Sequence, residues 1–232
     1  MELTLKYPSR LISATFLARP NRFLAEVLVE GSQTLVHVPD PGRLKELLLP
    51  SAEVYLRPAA GPRKTKFDLV LVKKDETLIS LDSILPNRLV ARALEAGFFS
   101  ELVRYPIIQR EMQYGASRLD FCLTGPEEKC LLEVKSVTLV QNKLALFPDA
   151  PTQRGARHLR ELSKARAEGM RAIVLFIIQR SDAAAFSPHK KMDPVFTETL
   201  KQAYVSGVEI WAYKCSLTLQ AITLGSPVPV VL

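Results

Sequence analysis

The chemistry that this sequence can carry centres on two carboxylates and one lysine in neighbouring apolar stretches. Asp120 lies within residues 117–121, and Glu133 and Lys135 follow within residues 131–136. Both stretches are predicted strands, and because side chains alternate between the two faces of a strand, Glu133 and Lys135 project from the same side. The polar turn between the strands predicts a hairpin that brings Asp120 beside Glu133.

Two adjacent carboxylates repel each other unless a cation or a proton lies between them. An all-oxygen site suits Mg²⁺ or Mn²⁺ better than zinc, and the backbone carbonyl of Val134 is a further candidate ligand. A metal ion there would polarise a phosphoryl oxygen and lower the pKa of a bound water, while Lys135 positions that water or stabilises developing negative charge. The competing interpretation is a structural ion pair between Lys135 and either acid across the hairpin.

Two basic clusters accompany these acids. One lies on a helix predicted at residues 152–168, and the other lies in the first part of the chain, with Asp68 as its only acid. We expect both to contact nucleic-acid phosphates, and a solvated helix face is the alternative for the first. The candidate contacts are Arg63, Lys64 and Lys66, in a cluster with Arg57, Lys73 and Lys74, and Arg154, Arg157, Arg160 and Lys164, whose helix face is predicted to include Arg171. His158 on the helix either contacts substrate or is a packing or hydrogen-bonding residue.

The elements that position these residues form two groups. The strand patterns before residue 82 lie at 16–29, 34–38, 53–56, 67–72 and 78–81. Together with a short helix predicted at 43–49, they suit a closed five-stranded barrel of the oligonucleotide/oligosaccharide-binding (OB) type or another small barrel. The later pattern, α-β-β-β-α-β-α-β, predicts a mixed central sheet covered by helices. The fold class is therefore mixed α/β, with domains at 1–81 and 82–232.

Composition bounds the class of protein. The 232 residues include 31 Lys+Arg and 24 Asp+Glu, a formal net charge of +7, which permits a polyanionic partner without identifying one. Cys122, Cys130 and Cys215 form no C-x-x-C pair, so we expect reduced thiols, no disulfide framework and no zinc site. The chain shows no signal-peptide pattern and no apolar run long enough to span a bilayer. We therefore expect a cytoplasmic protein without membrane contact.

Longer motifs resemble the sugar fermentation stimulation protein A family. The matching segments are residues 22–25, 37–43, 87–89, 117–121, 133–139 and 147–162. The resemblance implies an OB-like barrel followed by a domain similar to PD-(D/E)xK nucleases. It also implies DNA as the partner, single- or double-stranded, and a role in regulating sugar (maltose) metabolism.

By similarity to the nuclease motif, Asp120 and Glu133 are metal ligands and Lys135 is the catalytic lysine, with Glu101 as a candidate for an additional acid. Leu119 stands where the motif's name has a proline, which metal binding does not require. The expected function is that of a DNA-binding protein with a Mg²⁺-dependent nuclease site. The alternative is a DNA-binding transcriptional regulator that keeps the nuclease-like fold without cutting. Residues 227–229 are compatible with an edge strand, the arm of a homodimer or a tail.

Overall fold

Two large sheets and one small sheet organise the chain, and the computed structural model describes residues 3–232. The strands are β1 (Leu3–Lys6), β2 (Ile12–Asn21), β3 (Leu24–Val29), β4 (Ser32–His37), β5 (Glu53–Pro58), β6 (Phe67–Lys74), β7 (Thr77–Ser80), β8 (Ile107–Tyr114), β9 (Ser117–Thr124), β10 (Lys129–Val137), β11 (Val140–Gln141), β12 (Leu144–Phe147), β13 (Arg171–Ile178), β14 (Ala185–Pro188), β15 (Glu209–Leu217) and β16 (Ala221–Pro227). The helices are α1 (Leu85–Glu95), α2 (Gln153–Ala167) and α3 (Pro194–Val205), with a short 3₁₀ turn at Ser100–Leu102.

The first part of the chain forms a sheet in the order β4-β3-β2-β5-β6-β7. A parallel bridge between His37 of β4 and Asp68 of β6 closes its first five strands into a barrel. Inward-facing side chains fill the barrel, among them Val27, Val36 and Leu69, which are fully buried. The five-stranded barrel expected from the sequence is confirmed, and β7 extends it by one strand.

Two local predictions in the barrel are wrong. The long run before residue 30 is two strands, β2 and β3, joined by a turn. The helix predicted at 43–49 is a turn in which the N–H groups of Leu47 and Leu48 both donate to the Leu44 carbonyl. Leu44 has a φ of 49°, a left-handed conformation that does not continue a right-handed helix. The helix-like spacing of the three leucines instead buries them in the barrel.

The second part of the chain is a mixed sheet in the order β1-β16-β15-β13-β10-β9-β8. Its central strands β10, β13 and β15 run parallel, and the connections between them contain α2 and α3, as parallel strands require. On one face, Leu89 of α1 packs with Leu132 of β10. On the other face, Leu159 of α2 and Leu200 of α3 pack with Val174 of β13. The predicted helix-covered mixed sheet is confirmed.

The first described strand lies outside the barrel. β1 pairs antiparallel with β16, and Leu3 is opposite Leu224. Residues 3–6 therefore belong to the second sheet, although the sequence prediction assigned them to the barrel. A four-residue strand whose partner lies more than 200 residues away carries no local signal of that pairing. The division at residues 81 and 82 otherwise stays a prediction.

Helix-capping side chains fix the start of α2, where several candidate site residues lie. The hydroxyl of Thr152 accepts the N–H of Gly155 at 2.9 Å, which caps α2. Asp193 caps α3 by accepting the N–H of Phe196 at 2.8 Å. The other carboxylate oxygen of Asp193 accepts the N–H of Thr152 at 2.8 Å, so one side chain joins the starts of the two helices. Such caps satisfy N–H groups that have no partner within the helix.

The prediction of reduced thiols is confirmed. Cys122, Cys130 and Cys215 are buried and free of disulfides. Burial raises the pKa of Cys130 and of Cys215 to about 12, so both groups remain thiols at neutral pH.

Within residues 3–232, every helix is too short or too polar to cross a membrane.

A buried charge network joins the barrel to the segment that leads into α1. The guanidinium of Arg57 donates to Asp82 at 2.7 Å and to Asp68 at 3.2 Å. Asp68 also accepts from Arg63 at 2.7 Å and bonds His37 at 2.8 Å. Burial alone would raise the pKa of Asp68, but the bonds from His37, Arg63 and Arg57 hold it below its usual range. The sequence predicts Asp68 as the only acid of this cluster, but Asp82 is a second acid, because it accepts from Arg57.

Candidate metal and nucleic-acid site

The hairpin of β9 and β10 places Asp120 beside Glu133, as the sequence predicts. The regular pairing of the two strands ends at the pair Leu132 and Phe121, which are the chain neighbours of Glu133 and Asp120. Beyond that point the Asp120 carboxylate replaces the ladder bond, because its Oδ2 accepts the N–H of Val134 at 2.8 Å. The N–H of Asp120 in turn points to Glu133 Oε2 at 3.4 Å. The side chain of one acid and the backbone of the other thus fix their relative position.

Glu133 is held by two neighbours on the face of the sheet that α2 covers. Its Oε1 accepts from Lys135 Nζ at 2.6 Å and from His158 Nδ1. Arg154 Nε donates to His158 Nε2 at 3.3 Å, which assigns the ring hydrogen to Nδ1. His158 is 2 % exposed. The structure therefore decides the open question about His158: its ring is buried and bonded to a site carboxylate.

Sequence reasoning gave Asn87 no role, although it lies in one of the segments that resemble the family. Its Nδ2 donates to Asp120 Oδ1 at 2.6 Å from α1, on the opposite side of the sheet from α2. The residue types alone contain no signal for this contact, because it depends on how α1 packs on the sheet. His158 did carry a signal, since it precedes the buried Leu162 and Ala165 by four and seven residues.

The two carboxylates are electrostatically different. Burial and the charge of Glu133 raise the pKa of Asp120 to about 6. Burial would also raise the pKa of Glu133, but the charge of Lys135 and the bond from His158 hold it below its usual range. Lys135 thus compensates one carboxylate, and the charge of the second is left without a comparable partner. A cation between the two acids would relieve this repulsion.

The donor set limits which metal ions fit. Among the described residues, there is no group of three or more His, Cys, Asp or Glu side chains placed to hold a metal ion. Asp120 and Glu133 supply oxygen donors only, and the Val134 carbonyl remains a predicted ligand. Mg²⁺ accepts such a site, because it commonly keeps several waters and binds the protein through one or two carboxylates. Zinc, which prefers four His, Cys or carboxylate ligands, fits poorly.

The structure does not bring Glu101 to this site. Its carboxylate accepts from Arg171 at 2.8 Å, and Arg171 also makes a two-pronged contact with Glu209 at 2.6 and 2.9 Å. Arg171 begins β13 and is opposite Cys130 in the strand register, three residues before Glu133 on β10. The expected additional acid is therefore committed to an ion pair at the other end of the strand. Arg171 itself belongs to β13 and not to the basic face of α2.

A cleft of about 550 Å³ between the barrel and the second sheet opens beside Lys135. The barrel contributes Arg22 and the turn at residues 40–42 to one wall. The second part of the chain contributes the end of β10, the segment that leads into α2, and Arg154 in the first turn of α2. The side chain of Lys135 is 11 % exposed and that of Glu133 is 4 % exposed. The candidate site therefore lies below the surface and meets solvent through this cleft.

Two acids from different parts of the chain meet at the turn in the cleft wall. Asp40 Oδ1 accepts the N–H of Gly42 at 2.7 Å, and Asp149 Oδ2 accepts the N–H of Arg43 at 2.8 Å. A Cβ at Gly42 would collide with both carboxylates, so a glycine is required. Arg19 donates four hydrogen bonds to backbone carbonyls in and beside this turn, at 2.7 to 3.0 Å. These contacts fix the barrel wall of the cleft against the segment that contains Asp149.

Replacing Asp40 by asparagine tests the electrostatics of this turn. Burial, with a contribution from the charge of Asp149, raises the pKa of Asp40 from 3.8 to about 6, although the bond from Gly42 and the charge of Arg19 lower it. Because the raised pKa belongs to the folded state, protonation of Asp40 stabilises the fold, and this contribution is lost as pH rises through about 6. The unfolding free energy of Asp40→Asn minus that of wild type should therefore increase by about 2 kcal/mol when the pH is raised from 4 to 7.5.

Urea unfolding at the two pH values measures that difference, and the same substitution at the exposed Asp75 serves as the control. An equal difference between Asp40→Asn and wild type at both pH values would contradict the prediction.

The predicted nucleic-acid contacts differ in how freely they can meet a ligand. Arg63 is bound to Asp68, and Arg57 is bound to Asp68 and Asp82. Arg157 and Arg160 form no ion pair with any part of the chain that the structure describes. The exposed candidates are Lys64, Lys66, Arg154, Arg157, Arg160 and Lys164. The basic face of α2 is thus the larger exposed cluster, and Arg154 connects it to the cleft.

The fold and the site together define a two-part α/β protein. A closed OB-type barrel precedes a helix-covered mixed sheet, and two carboxylates and a lysine lie where the two parts meet. Residues 17–81 match the family model of the SfsA N-terminal OB domain, and residues 84–221 match that of the sugar fermentation stimulation protein RE domain. The chain therefore belongs to the sugar fermentation stimulation protein family, which confirms the resemblance seen in the sequence.

Individual relatives agree with this assignment. The sugar fermentation stimulation protein homolog of Moorella thermoacetica is 52 % identical over 226 residues, which cover 96 % of this chain and 97 % of the relative. The homolog of Desulforamulus reducens is 47 % identical over 95 % of this chain and 92 % of its own length. The structure of Pyrococcus furiosus SfsA in complex with Ca²⁺ matches with a TM-score of 0.91 at 31 % identity, over 100 % of both chains.

Proposed function

We propose that this protein is a DNA-binding phosphodiesterase that uses Mg²⁺ or Mn²⁺ held by Asp120 and Glu133. The observation that carries the proposal is the convergence of Asp120, Glu133 and Lys135, with Lys135 lining an open cleft. A structural ion pair explains Lys135 and Glu133 but not a second, half-buried carboxylate, Asp120, whose pKa is raised by burial and by the charge of Glu133. Pairs of acids with opposite pKa shifts in a cleft are typical of functional sites.

The similar Pyrococcus furiosus protein supports the proposal that this chain binds a divalent cation. Its structure is described as a complex with Ca²⁺, a hard cation that takes oxygen ligands, as Mg²⁺ and Mn²⁺ do. The Asp120 and Glu133 carboxylates and the Val134 carbonyl are the oxygen donors proposed for the cation here. The proposed role in sugar metabolism, including maltose, follows from family membership and from no feature of the site.

The chain's own residues have distinct tasks in this reaction. When bound, the divalent cation supplies positive charge that lowers the pKa of a water molecule and offsets charge on the phosphate. In hydrolysis a water oxygen gives up one proton to solvent and bonds to phosphorus, a phosphorus–oxygen bond to a sugar breaks, and the departing oxygen takes a proton from solvent. Lys135 faces the cleft and stabilises the negative charge that develops on the phosphate. His158 and Asn87 hold Glu133 and Asp120 in position from opposite sides of the sheet.

The basic residues supply the affinity for DNA. Arg154, Arg157, Arg160 and Lys164 present positive charge along the exposed face of α2, and Arg63, Lys64 and Lys66 do so at the barrel. Such contacts neutralise phosphates and release counterions, so binding weakens steeply as salt concentration rises.

Cleavage assays on plasmid DNA, linear duplex DNA and single-stranded DNA test the proposal, and cutting of any one of the three supports it. We expect cutting with Mg²⁺ or Mn²⁺, none with EDTA, and none with Glu133→Gln. Glu127→Gln is a matched control, because Glu127-Glu128-Lys129 has the same E-x-K spacing in an exposed turn. DNA binding with a steep salt dependence and no cleavage with either metal would contradict the proposal. That outcome would instead favour a DNA-binding transcriptional regulator that keeps the fold.

A further inference from the structure

We infer that the cleft beside Lys135 receives one unpaired DNA strand and excludes a duplex, with Phe23 as the residue on which a base stacks. This inference rests on the proposed function and names the substrate class of its site. The sequence leaves single- and double-stranded DNA equally open.

The depth of the site argues against a duplex. The side chains of Glu133 and Lys135 are only 4 % and 11 % exposed, so a phosphate must enter the cleft to reach them. Phosphates of a duplex lie on the outside of a rigid rod whose major groove alone is about 12 Å wide. A volume of about 550 Å³ falls within the range of pockets that hold a drug-sized molecule. It therefore accommodates a short piece of flexible single strand and not a double helix.

The turn between β2 and β3 supplies a stacking surface beside the cleft, next to a residue that lines it. Arg22 lines the cleft, and its guanidinium lies 5.8 Å from the centre of the neighbouring Phe23 ring. Phe23 is 52 % exposed, yet its backbone is fixed, because its N–H donates to Asn21 at 2.9 Å and its carbonyl accepts from Val38 at 2.8 Å. The backbone that carries the ring is thus fixed, and the side chain stays about half exposed.

An exposed ring beside an arginine suits an unpaired nucleotide. A base stacked on an aromatic side chain contributes to binding whatever its identity, and arginine adds a cation–π contribution. A paired base inside a duplex is already stacked on both faces and offers no face to Phe23. Arg22 on the barrel side and Arg154 on the α2 side are the cations of the cleft mouth that can meet the phosphates of the same strand.

The acids of the cleft are compatible with this ligand. Asp40 and Asp149 also line the cleft, but each carboxylate accepts a backbone N–H of the turn at residues 42 and 43. These bonds hold both negative groups against the turn. On the other wall Lys135 is paired with Glu133, which compensates the charge of that carboxylate.

Fluorescence anisotropy with a labelled 12-nucleotide DNA strand, the matching 12-base-pair duplex and the RNA strand of the same sequence tests the inference. All three are measured at one salt concentration in EDTA, which prevents metal-dependent cleavage. We expect the DNA strand to bind at least tenfold more tightly than the duplex. Phe23→Ala should weaken binding of the strand about tenfold and leave duplex binding unchanged, and Phe23→Tyr should restore strand binding.

Tyr204→Ala is the matched control, because Tyr204 is an aromatic residue 59 % exposed on α3. Equal binding of strand and duplex, tighter binding of the RNA strand, or an equal loss for both DNAs with Phe23→Ala would overturn the inference. A separate assay with Mn²⁺ distinguishes the two proposals. Selective binding of the single strand without cleavage would support the single strand as the cleft's ligand and overturn the phosphodiesterase proposal. Equally fast cleavage of duplex and single strand would support the phosphodiesterase proposal and overturn the single strand as the preferred ligand.

Discussion

Lys135→Ala is expected to lower the rate of DNA cleavage about a hundredfold to a thousandfold while leaving DNA affinity within a few-fold of wild type. Lys135 is the only cationic side chain bonded to the carboxylate pair in the described chain, and it faces the cleft. Loss of one preorganised group that stabilises charge in the transition state typically has an effect of this size. Single-turnover cleavage at saturating protein measures the rate, and anisotropy measures the affinity.

Lys201→Ala is the matched control, since it removes the same charge from an exposed position on α3. Its cleavage rate should equal that of wild type. The affinity of the Lys135→Ala variant for Mn²⁺ should be retained or increased, because the ammonium no longer competes for Glu133. Equal cleavage rates for Lys135→Ala and wild type would show that another site cuts the DNA.

Arg57→Met is expected to have the largest effect on stability, about 3 kcal/mol of unfolding free energy at pH 7. The side chains of Asp68 and Asp82 are 10 % and 5 % exposed, and Arg57 bonds both. Removing one partner of a buried ion pair leaves an uncompensated charge, which typically costs 3–5 kcal/mol. We expect a loss of unfolding free energy at the lower end of this range, because His37 and Arg63 still bond Asp68.

The pH dependence of this effect has a defined sign. Because the pKa of Asp68 is lowered in the folded state, its ion pairs stabilise the fold above the carboxyl's unfolded pKa and lose this effect as pH falls below it. The stability difference between Arg57→Met and wild type should therefore shrink below about pH 4. Urea unfolding from pH 3 to pH 7 measures it.

Arg92→Met provides the control for that experiment. Arg92 pairs with Glu95 at 3.0 Å on the surface of α1, where the two side chains are 68 % and 54 % exposed. Exposed ion pairs contribute at most about 1 kcal/mol. Equal destabilisation by Arg57→Met and Arg92→Met would contradict a structural role for the buried network.

The part of the candidate site on one hairpin could be predicted from the sequence. Alternation along β10 places Glu133 and Lys135 on one face, and the polar turn before it returns the chain past Asp120. These are local patterns with a period of two residues. The contacts of Asn87 and His158 could not be assigned in the same way, because they depend on the packing of α1 and α2 on opposite faces of the sheet.

The errors in the predicted fold have the same origin. The leucines at residues 44–48 have helical spacing, but the left-handed conformation of Leu44 is set by packing in the barrel. Glu101 is close to the site acids in sequence order, but Arg171 and Glu209, which are distant in the chain, determine where its carboxylate lies. The spacing of residues along the sequence indicates which face of an element a side chain occupies, but it does not indicate which distant residue that side chain contacts.

Anomalous diffraction from crystals soaked in Mn²⁺ tests the central claim, a divalent cation between Asp120 and Glu133, most directly. We predict one anomalous peak within bonding distance of a carboxylate oxygen of each residue. Lys135 should then either have moved away from Glu133 or bond the Glu133 oxygen that does not bind the cation. The same soak of Glu133→Gln crystals should lose the peak. Carboxylates that remain bound only to Asn87, Lys135 and His158, with no peak between them in the wild-type crystals, would contradict the claim.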